Sequence, residues 1–333
     1  MIMNCGGISM ISIRTDLAIE ARDMYTQENK RELDGVIVKE EQDEDVKITT
    51  VTIESDEAGK ELGKSKGNYI TIDFPEMTYY ETEIMDKVSH ALKKSLSDLI
   101  DAPHDKLALV VGLGNRRVTP DSLGPKVTEK IMVTRHIKQL MPEAIDESVR
   151  PVSCIAPGVL GVTGIETGEI VKSLAEKLKP DIVICIDALG SRKLERVNRT
   201  IQISDTGIAP GAGVGNNRMK INEDFIGAKV IGIGVPTVVH AATIANDALD
   251  LLLDELIKKS EEGTDFYKML NSLDRNEKNN LIREILDPSI GDLMVTPKDV
   301  DIIMDSLSKV IANGINMAIQ PNLDMEDINA FMS

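Results

Sequence analysis

The chain has 333 residues, of which 42% are hydrophobic and 28% charged, a balance that suits a globular protein with a sizeable core. Fifty-five acidic residues against 38 basic ones give a net charge of −17, which disfavours direct binding to nucleic acid or to an anionic membrane surface. Trp is absent and aromatics are 3% of the chain, which disfavours a base-stacking platform, and no run of about 18 apolar residues suggests a membrane span. The cysteines Cys5, Cys154 and Cys185 lack metal-ligand spacing, and the last two lie in apolar runs where buried thiols are common. So few thiols, behind a start without a secretory signal, suggest a reducing, cytoplasmic setting.

In chain order, residues 1–60 read as a weakly ordered start. Within them ISIRTDLAIEAR resembles a helix start, with Thr15 or Asp16 capping an apolar run. Lys39 to Lys47 (KEEQDEDVK) is a charge run, read as a solvated loop. Alternation predicts a strand over Val46 to Ile53 and another over Tyr69 to Phe74. Ile84, Val88, Ala91, Leu92 and Leu99 recur at helical spacing and predict an amphipathic helix from Ile84 to Ile100.

The centre carries the clearest pattern. Leu107 to Leu113 is a short apolar run, followed by the turn GLGN, the loop TPDSLGP and a helix-like stretch to about Leu140. Val152 to Ala156 predicts a second strand. The loop PGVLGVTGIETG then leads into a helix with Ile170, Leu174 and Leu178 on one face, and Ile182 to Ile186 is a third strand. This alternation predicts an α/β fold, a mainly parallel twisted sheet with helices on both faces. Additional N-terminal strands and C-terminal helices decorate it. Ile201 to Ile203 and Val230 to Val235 are further strands. A long helix carries Val239, Ala242, Asn246, Leu249, Leu253 and Leu256, and residues 260–292 are polar and helix-like. A last helix is signalled near Pro297. No repeat and no long linker appear, so one domain is expected.

Two carboxylates stand where such a fold does chemistry. The third strand's apolar run stops at Asp187, ahead of a basic stretch (Arg192, Lys193, Arg196, Arg199) and a glycine-rich loop from Gly207 to Gly215. Asp121 lies in the loop after the first core strand. In the doubly wound order 2-1-3 these strands are neighbours whose carboxyl ends open a crevice, and two acids there suit activation of a water and protonation of a leaving group. The residues alone leave a second reading open, in which Asp121 caps a helix starting near Gly124 and Asp187 caps the next segment. A dinucleotide site fails because Arg117 stands where the third glycine of G-x-G-x-x-G belongs. His90, His104, His136 and His240 are scattered, and neither HExxH nor G-x-S-x-G occurs. Asp205 and Asp224 read as turn or capping residues.

The strings IRTDLAIE (13–20), VVGLGNRRVTPDSLGP (110–125), PGVLGVTGIETGEI (157–170), DIVICIDALGSRKLERVNRTIQISDTGIAPGAGVGNNR (181–218), GIGVPTVV (232–239) and DLMVTPKDVD (292–301) closely resemble the germination protease family of spore-forming bacteria. The resemblance implies an atypical aspartic-type endopeptidase with a phosphorylase/hydrolase-like fold that degrades small acid-soluble spore proteins. It implies Asp121 and Asp187 as catalytic residues. It also implies a zymogen with a propeptide over residues 1–16, cut at the bond from Asp16 to Leu17, and one peptidase domain over 17–333. A homotetramer in the forespore or spore core follows from the same likeness, and the acidic charge balance adds the expectation of no direct nucleic-acid or membrane partner. Asn115, Arg192, Gly211 and Gly213 are taken as substrate-binding residues, the glycines offering backbone to an extended peptide. The chain departs from the family at Arg116, where an aromatic residue is common, and at His240, where an acid is common. More distantly, GLGN…Asp121 resembles hydrogenase-maturation endopeptidases, which read nickel through acids and a histidine. That histidine has no counterpart here, so no metal and no cofactor are expected. A nickel-dependent maturation-type peptidase and a non-catalytic α/β ligand-binding module remain the alternatives.

Overall fold

The computed structural model describes residues 15–76, 82–211, 219–271 and 293–332. These form a nine-stranded mixed sheet: β1 (Val36–Asp43), β2 (Val46–Ile53), β3 (Gly67–Asp73), β4 (Ala108–Gly112), β5 (Val152–Ile155), β6 (Ile182–Ser191), β7 (Thr200–Ser204), β8 (Lys229–His240) and β9 (Met294–Val295). The order is β1-β2-β3-β7-β8-β6-β4-β5, with β9 on the end of β8. Its centre, β8-β6-β4-β5, is parallel, and the 2-1-3 order expected of the core strands is present as β5-β4-β6. The N-terminal strands join antiparallel through β3 and β7.

Side-chain alternation explains why helices cover both faces. Ala108 and Val110 of β4, with Ile182, Ile184 and Ile186 of β6, enter one core. There they meet the helices Thr82–Leu99, Leu123–Thr128 and Val300–Ile319. Leu109, Val111, Val183 and Cys185 point the other way, toward Val171 and Ala175 of the helix Thr167–Leu178 and toward Leu17 and Ala18. Each fully buried Leu or Ile contributes about 1.5–3 kcal/mol of burial free energy. The Cys154 thiol is half-buried and pushed up to about 12 by burial, and Cys185 is buried and raised likewise.

Several expectations shift, each for a tertiary reason. The charge run at 39–47 is a β-hairpin, because Glu40, Glu41 and Asp43 pair through their backbone with Thr49, Ile48 and Val46 of apolar β2. Lys47 and Lys94 reach Glu40 and Glu41 at 2.9 Å, so the charges sit outward on an edge strand, where they discourage further pairing. The helix expected through to Leu140 is broken into Leu123–Thr128 and Arg135–Leu140. Between them Asn316 accepts from Met132 N–H at 3.0 Å and donates to the Lys130 carbonyl at 3.0 Å, which ties that turn to the last long helix. In the helix Thr167–Leu178 the deepest residues are Gly168, Val171 and Ala175, with Ile170, Leu174 and Leu178 half-buried. The long helix begins at Ala241, since β8 runs on to His240 and pairs with β9. The closing helix begins at Val300, three residues past Pro297, and a further short helix, Met325–Met332, follows it. Of the stretch 260–292, the helix Asp265–Asn271 is described and 272–292 lie outside the described residues.

Candidate active site

Asp121 is positioned by a loop that folds back on itself. Beyond β4, Leu113 N–H still donates to the Ile186 carbonyl at 2.8 Å, and Gly114 then turns the chain with φ +104°. A Cβ on Gly114 would stand 2.2 Å from the Asp121 carbonyl oxygen, so this position needs glycine for a close approach within the loop. A single 3-10 turn, Thr119–Asp121, brings the aspartate back to Asn115, whose N–H is shared between the Asp121 carbonyl at 2.9 Å and its Oδ2 at 2.8 Å. The helix Leu123–Thr128 receives no side-chain cap, so the capping reading of Asp121 does not hold. Burial raises the Asp121 carboxyl, and the Asn115 N–H pulls it partly back.

Asp187 lies inside β6 rather than at its tip, a correction to the expected strand end at Ile186. β4 stops at Gly112 opposite Ile186, while β8 continues to pair with β6 from Asp187 opposite Gly234 to Ser191 opposite Val239. Asp187 is therefore the first β6 residue past the end of β4, which leaves its side chain at the mouth between the two strands. The residue is 3% exposed. Its Oδ1 accepts from Ala188 N–H at 3.0 Å, and its Oδ2 is buried without a hydrogen bond. Burial raises the carboxyl well above the ordinary aspartate value, and the Asp121 charge adds to the rise. The nearby amides of Ala188 and Gly211 oppose it, and the Asp16 charge reinforces it.

Asp16 completes the group. Its carboxylate accepts from Gly190 N–H at 2.9 Å, and burial raises it, opposed by that amide and by Lys64. Asp16, Asp121 and Asp187 line one cavity of about 520 Å³, together with Leu113, Gly114 and Gly211. The charges of Asp121 and Asp16 both oppose ionisation of Asp187 in this shared space. Asp187, the deepest, is raised by burial and by the Asp121 charge, and Asp121 is raised by its own burial. Two carboxyls in one cleft, held in different surroundings, are the groups that activation of a water and protonation of a departing amine require.

The segment carrying the expected processing bond is itself buried. Leu17 and Ala18 are 0% exposed, and the helix Ala18–Asn29 starts at Ala18 with no side-chain cap from Thr15 or Asp16. Glu20, 1% exposed, accepts from Ser191 Oγ at 3.0 Å and from the N–H groups of Arg192 and Lys193 at 2.9 Å, and the Thr15 hydroxyl also donates to it.

Of the residues taken as substrate-binding, Gly211 lines the aspartate cavity and Asn115 serves through its backbone. The Asn115 side chain instead accepts from Arg117 N–H at 3.0 Å. Arg192 is turned to another cavity, about 800 Å³, where its Nη1 pairs with both Asp247 oxygens at 2.9 Å. Gly213 lies outside the described residues. Lys64, Gln202 and Gly190 gather at the junction without having been singled out. Gln202 did leave a trace, a lone amide within the apolar run IQI. Among the described residues, no group of three or more His, Cys, Asp or Glu side chains is arranged to hold a metal ion.

Comparison with known proteins places the chain in a family context. The sequence model described as germination protease matches residues 16–271 and 252–332. The chain is 61% identical to a germination protease of Clostridium perfringens over 325 residues, covering 97% of this chain and 100% of the relative. It is 55% identical to that of Clostridium tetani over 323 residues, with 97% and 100% covered. It is 42% identical to that of Bacillus cereus over 361 residues, with 97% and 98% covered.

Proposed function

The chain belongs to the germination protease family and is a peptidase of sporulating bacteria's kind, and from that premise we propose that Asp121 and Asp187 carry its peptide hydrolysis. Asp121 takes a proton from the attacking water, and Asp187, which retains its proton, serves as the acid. The observation that carries this reading is the shared cavity of Asp16, Asp121 and Asp187, with the Asp187 Oδ2 buried and unengaged. A buried carboxyl oxygen without a partner costs free energy that a catalytic role accounts for. The backbone of Gly211 on the cavity wall supports binding of an extended peptide there.

The substrates in this reading are small acid-soluble spore proteins, degraded as the spore germinates. Residues 1–16 are the propeptide of a zymogen that cuts its own bond from Asp16 to Leu17, leaving 17–333 as one peptidase domain. Seating of Asp16 beside the other two acids supports that cut. The site of action is the forespore or spore core; among the described residues, no helix is long and apolar enough to cross a membrane.

The test is incubation of the full-length chain, alone and with a small acid-soluble spore protein, followed by mass mapping of both. Cuts between Asp16 and Leu17 and within the spore protein, both missing in Asp121→Asn, are expected. Unchanged cleavage by Asp121→Asn would sink the aspartate reading, and loss of wild-type cleavage in a strong chelator would favour the nickel-dependent alternative.

Assembly into a homotetramer draws support from the helix Ala241–Lys259. Its Leu249, Leu251, Leu252 and Leu256 are 40%, 68%, 53% and 38% exposed, an apolar surface suited to a second copy. Light scattering is expected to give four times the 36.4 kDa chain mass, and a monomeric mass would remove the assignment.

A further inference from the structure

The peptide group between Asp16 and Leu17 is gripped at its oxygen. The Asp16 carbonyl accepts from the Lys64 ammonium at 2.8 Å and from the Gln202 amide at 3.1 Å. Lys64 donates as well to the Thr15 carbonyl at 2.9 Å. Gln202 turns its own carbonyl to Ala18 N–H at 2.6 Å, so one side chain spans the bond from the residue before it to the second residue after it. Asp16 borders two cavities. One holds Asp121 and Asp187; the other, about 640 Å³, is lined by Lys64 and Gln202.

Neither donor is cheap to place there. Gln202 belongs to β7, whose five residues are all buried, and an amide in such a strand must be hydrogen-bonded to be tolerated. Burial disfavours the Lys64 ammonium and lowers its pKa overall, and the carboxylates of Asp16 and Glu20 offset that only in part. Two donors, one of them charged, within 3.1 Å of one carbonyl oxygen form the arrangement that stabilises an oxyanion.

We propose that Lys64 and Gln202 hold the Asp16 carbonyl oxygen while the bond to Leu17 is cut, and stabilise the negative charge that develops on it. This rests on the reading of that bond as the processing site. Water adds its oxygen to the Asp16 carbonyl carbon and gives a proton to the Asp121 carboxylate. The carbonyl π pair moves onto the oxygen held by Lys64 and Gln202. When the carbonyl reforms, the C–N bond breaks and the Leu17 nitrogen leaves with the Asp187 proton; transfer from Asp121 to Asp187 then restores the pair. Because two donors meet the charge on oxygen, the acid's proton is available to the nitrogen. Lys64 and Gln202 are thus catalytic residues of self-cleavage, in contact with the reacting group.

The test follows first-order appearance of the Leu17 N-terminus in the full-length chain. Lys64→Met, which keeps length and removes the donor, is expected to slow it on the order of 10²–10³-fold. Gln202→Glu keeps the acceptor for Ala18 N–H, loses the donor, and is expected to slow it comparably; it decides the matter if Lys64→Met does not fold. Hydrogen exchange at the Ala18 amide reports whether the junction stays seated. Slow cleavage with that amide still protected supports the proposal. An unchanged rate, or slow cleavage with protection lost, overturns it. A wild-type chain cut elsewhere overturns the processing reading and this proposal together, whereas a wild-type chain cut at Leu17 beside an equally fast Lys64→Met overturns the proposal alone.

Discussion

Asp187→Asn is expected to lower peptide hydrolysis on the order of 10²–10⁴-fold and, in the same protein, to raise stability at neutral pH. Both effects come from one fact, a carboxyl 3% exposed with one oxygen unengaged. Asn has nearly the same shape and remains neutral, so it fills the site but neither gives nor takes the proton. The sign of the stability change follows from the raised carboxyl. A carboxyl whose folded pKa exceeds its unfolded value supports the fold fully below the unfolded value, about 3.9, and loses that support as pH rises through the folded pKa. Wild type therefore forfeits about 1.4 kcal/mol for each unit of difference, a penalty the Asn variant never meets. Thermal unfolding of the two proteins should coincide near pH 3.5 and separate toward pH 7, the variant melting higher. A variant that melts no higher than wild type at pH 7, or still cleaves, would contradict the site as described.

Arg150→Ala is expected to destabilise the fold by about 3–5 kcal/mol, the cost of three buried acceptors left unpaired and of the space vacated. Arg150 is 1% exposed. Its guanidinium donates to the carbonyls of Ile319 at 3.1 Å, Lys106 at 3.1 Å and Ala102 at 2.8 Å. Its backbone is bracketed by Gln320, which accepts from Arg150 N–H at 2.7 Å and donates to the Arg150 carbonyl at 2.9 Å. One cation thus joins the end of the helix Val300–Ile319 to the segments entering β4 and β5, and it sits favourably at a helix C-terminus. Truncation leaves three carbonyls without their donor as well as a void. Urea unfolding measures the loss; a midpoint unchanged from wild type would mean that water replaces the guanidinium.

The core strands were legible because burial on both faces demands continuous apolar runs, and Leu107 to Leu113 and Ile182 to Ile186 have no other use in a chain this charged. Asp187 stood out for the converse reason, since a carboxylate directly after such a run conflicts with its surroundings unless chemistry or capping needs it, and Asp121 followed as the acid in the loop of the neighbouring strand. Local pattern misled where a partner distant in sequence decided the outcome. The charge run at 39–47 pairs with β2 because backbone hydrogen bonds do not depend on side-chain polarity. Arg150 carried no signal at all, because its three carbonyl partners come from residues 44 to 169 positions away.

The sequence by itself determined that the chain is α/β and that two acids, Asp121 and Asp187, follow the apolar runs of the first and third strands of its core. These follow from the period and length of the apolar runs, which are local features, whereas the order of the strands in the sheet is a tertiary one. Only the tertiary structure decided that β6 runs on past Asp187, because β8 continues to offer it a partner. Only it brought Asp16 into the cavity of Asp121 and Asp187, and set Lys64 and Gln202 on the carbonyl between Asp16 and Leu17. Those contacts join residues 48 to 186 positions apart, where no spacing rule reaches and only the closing of the fold fixes the distance.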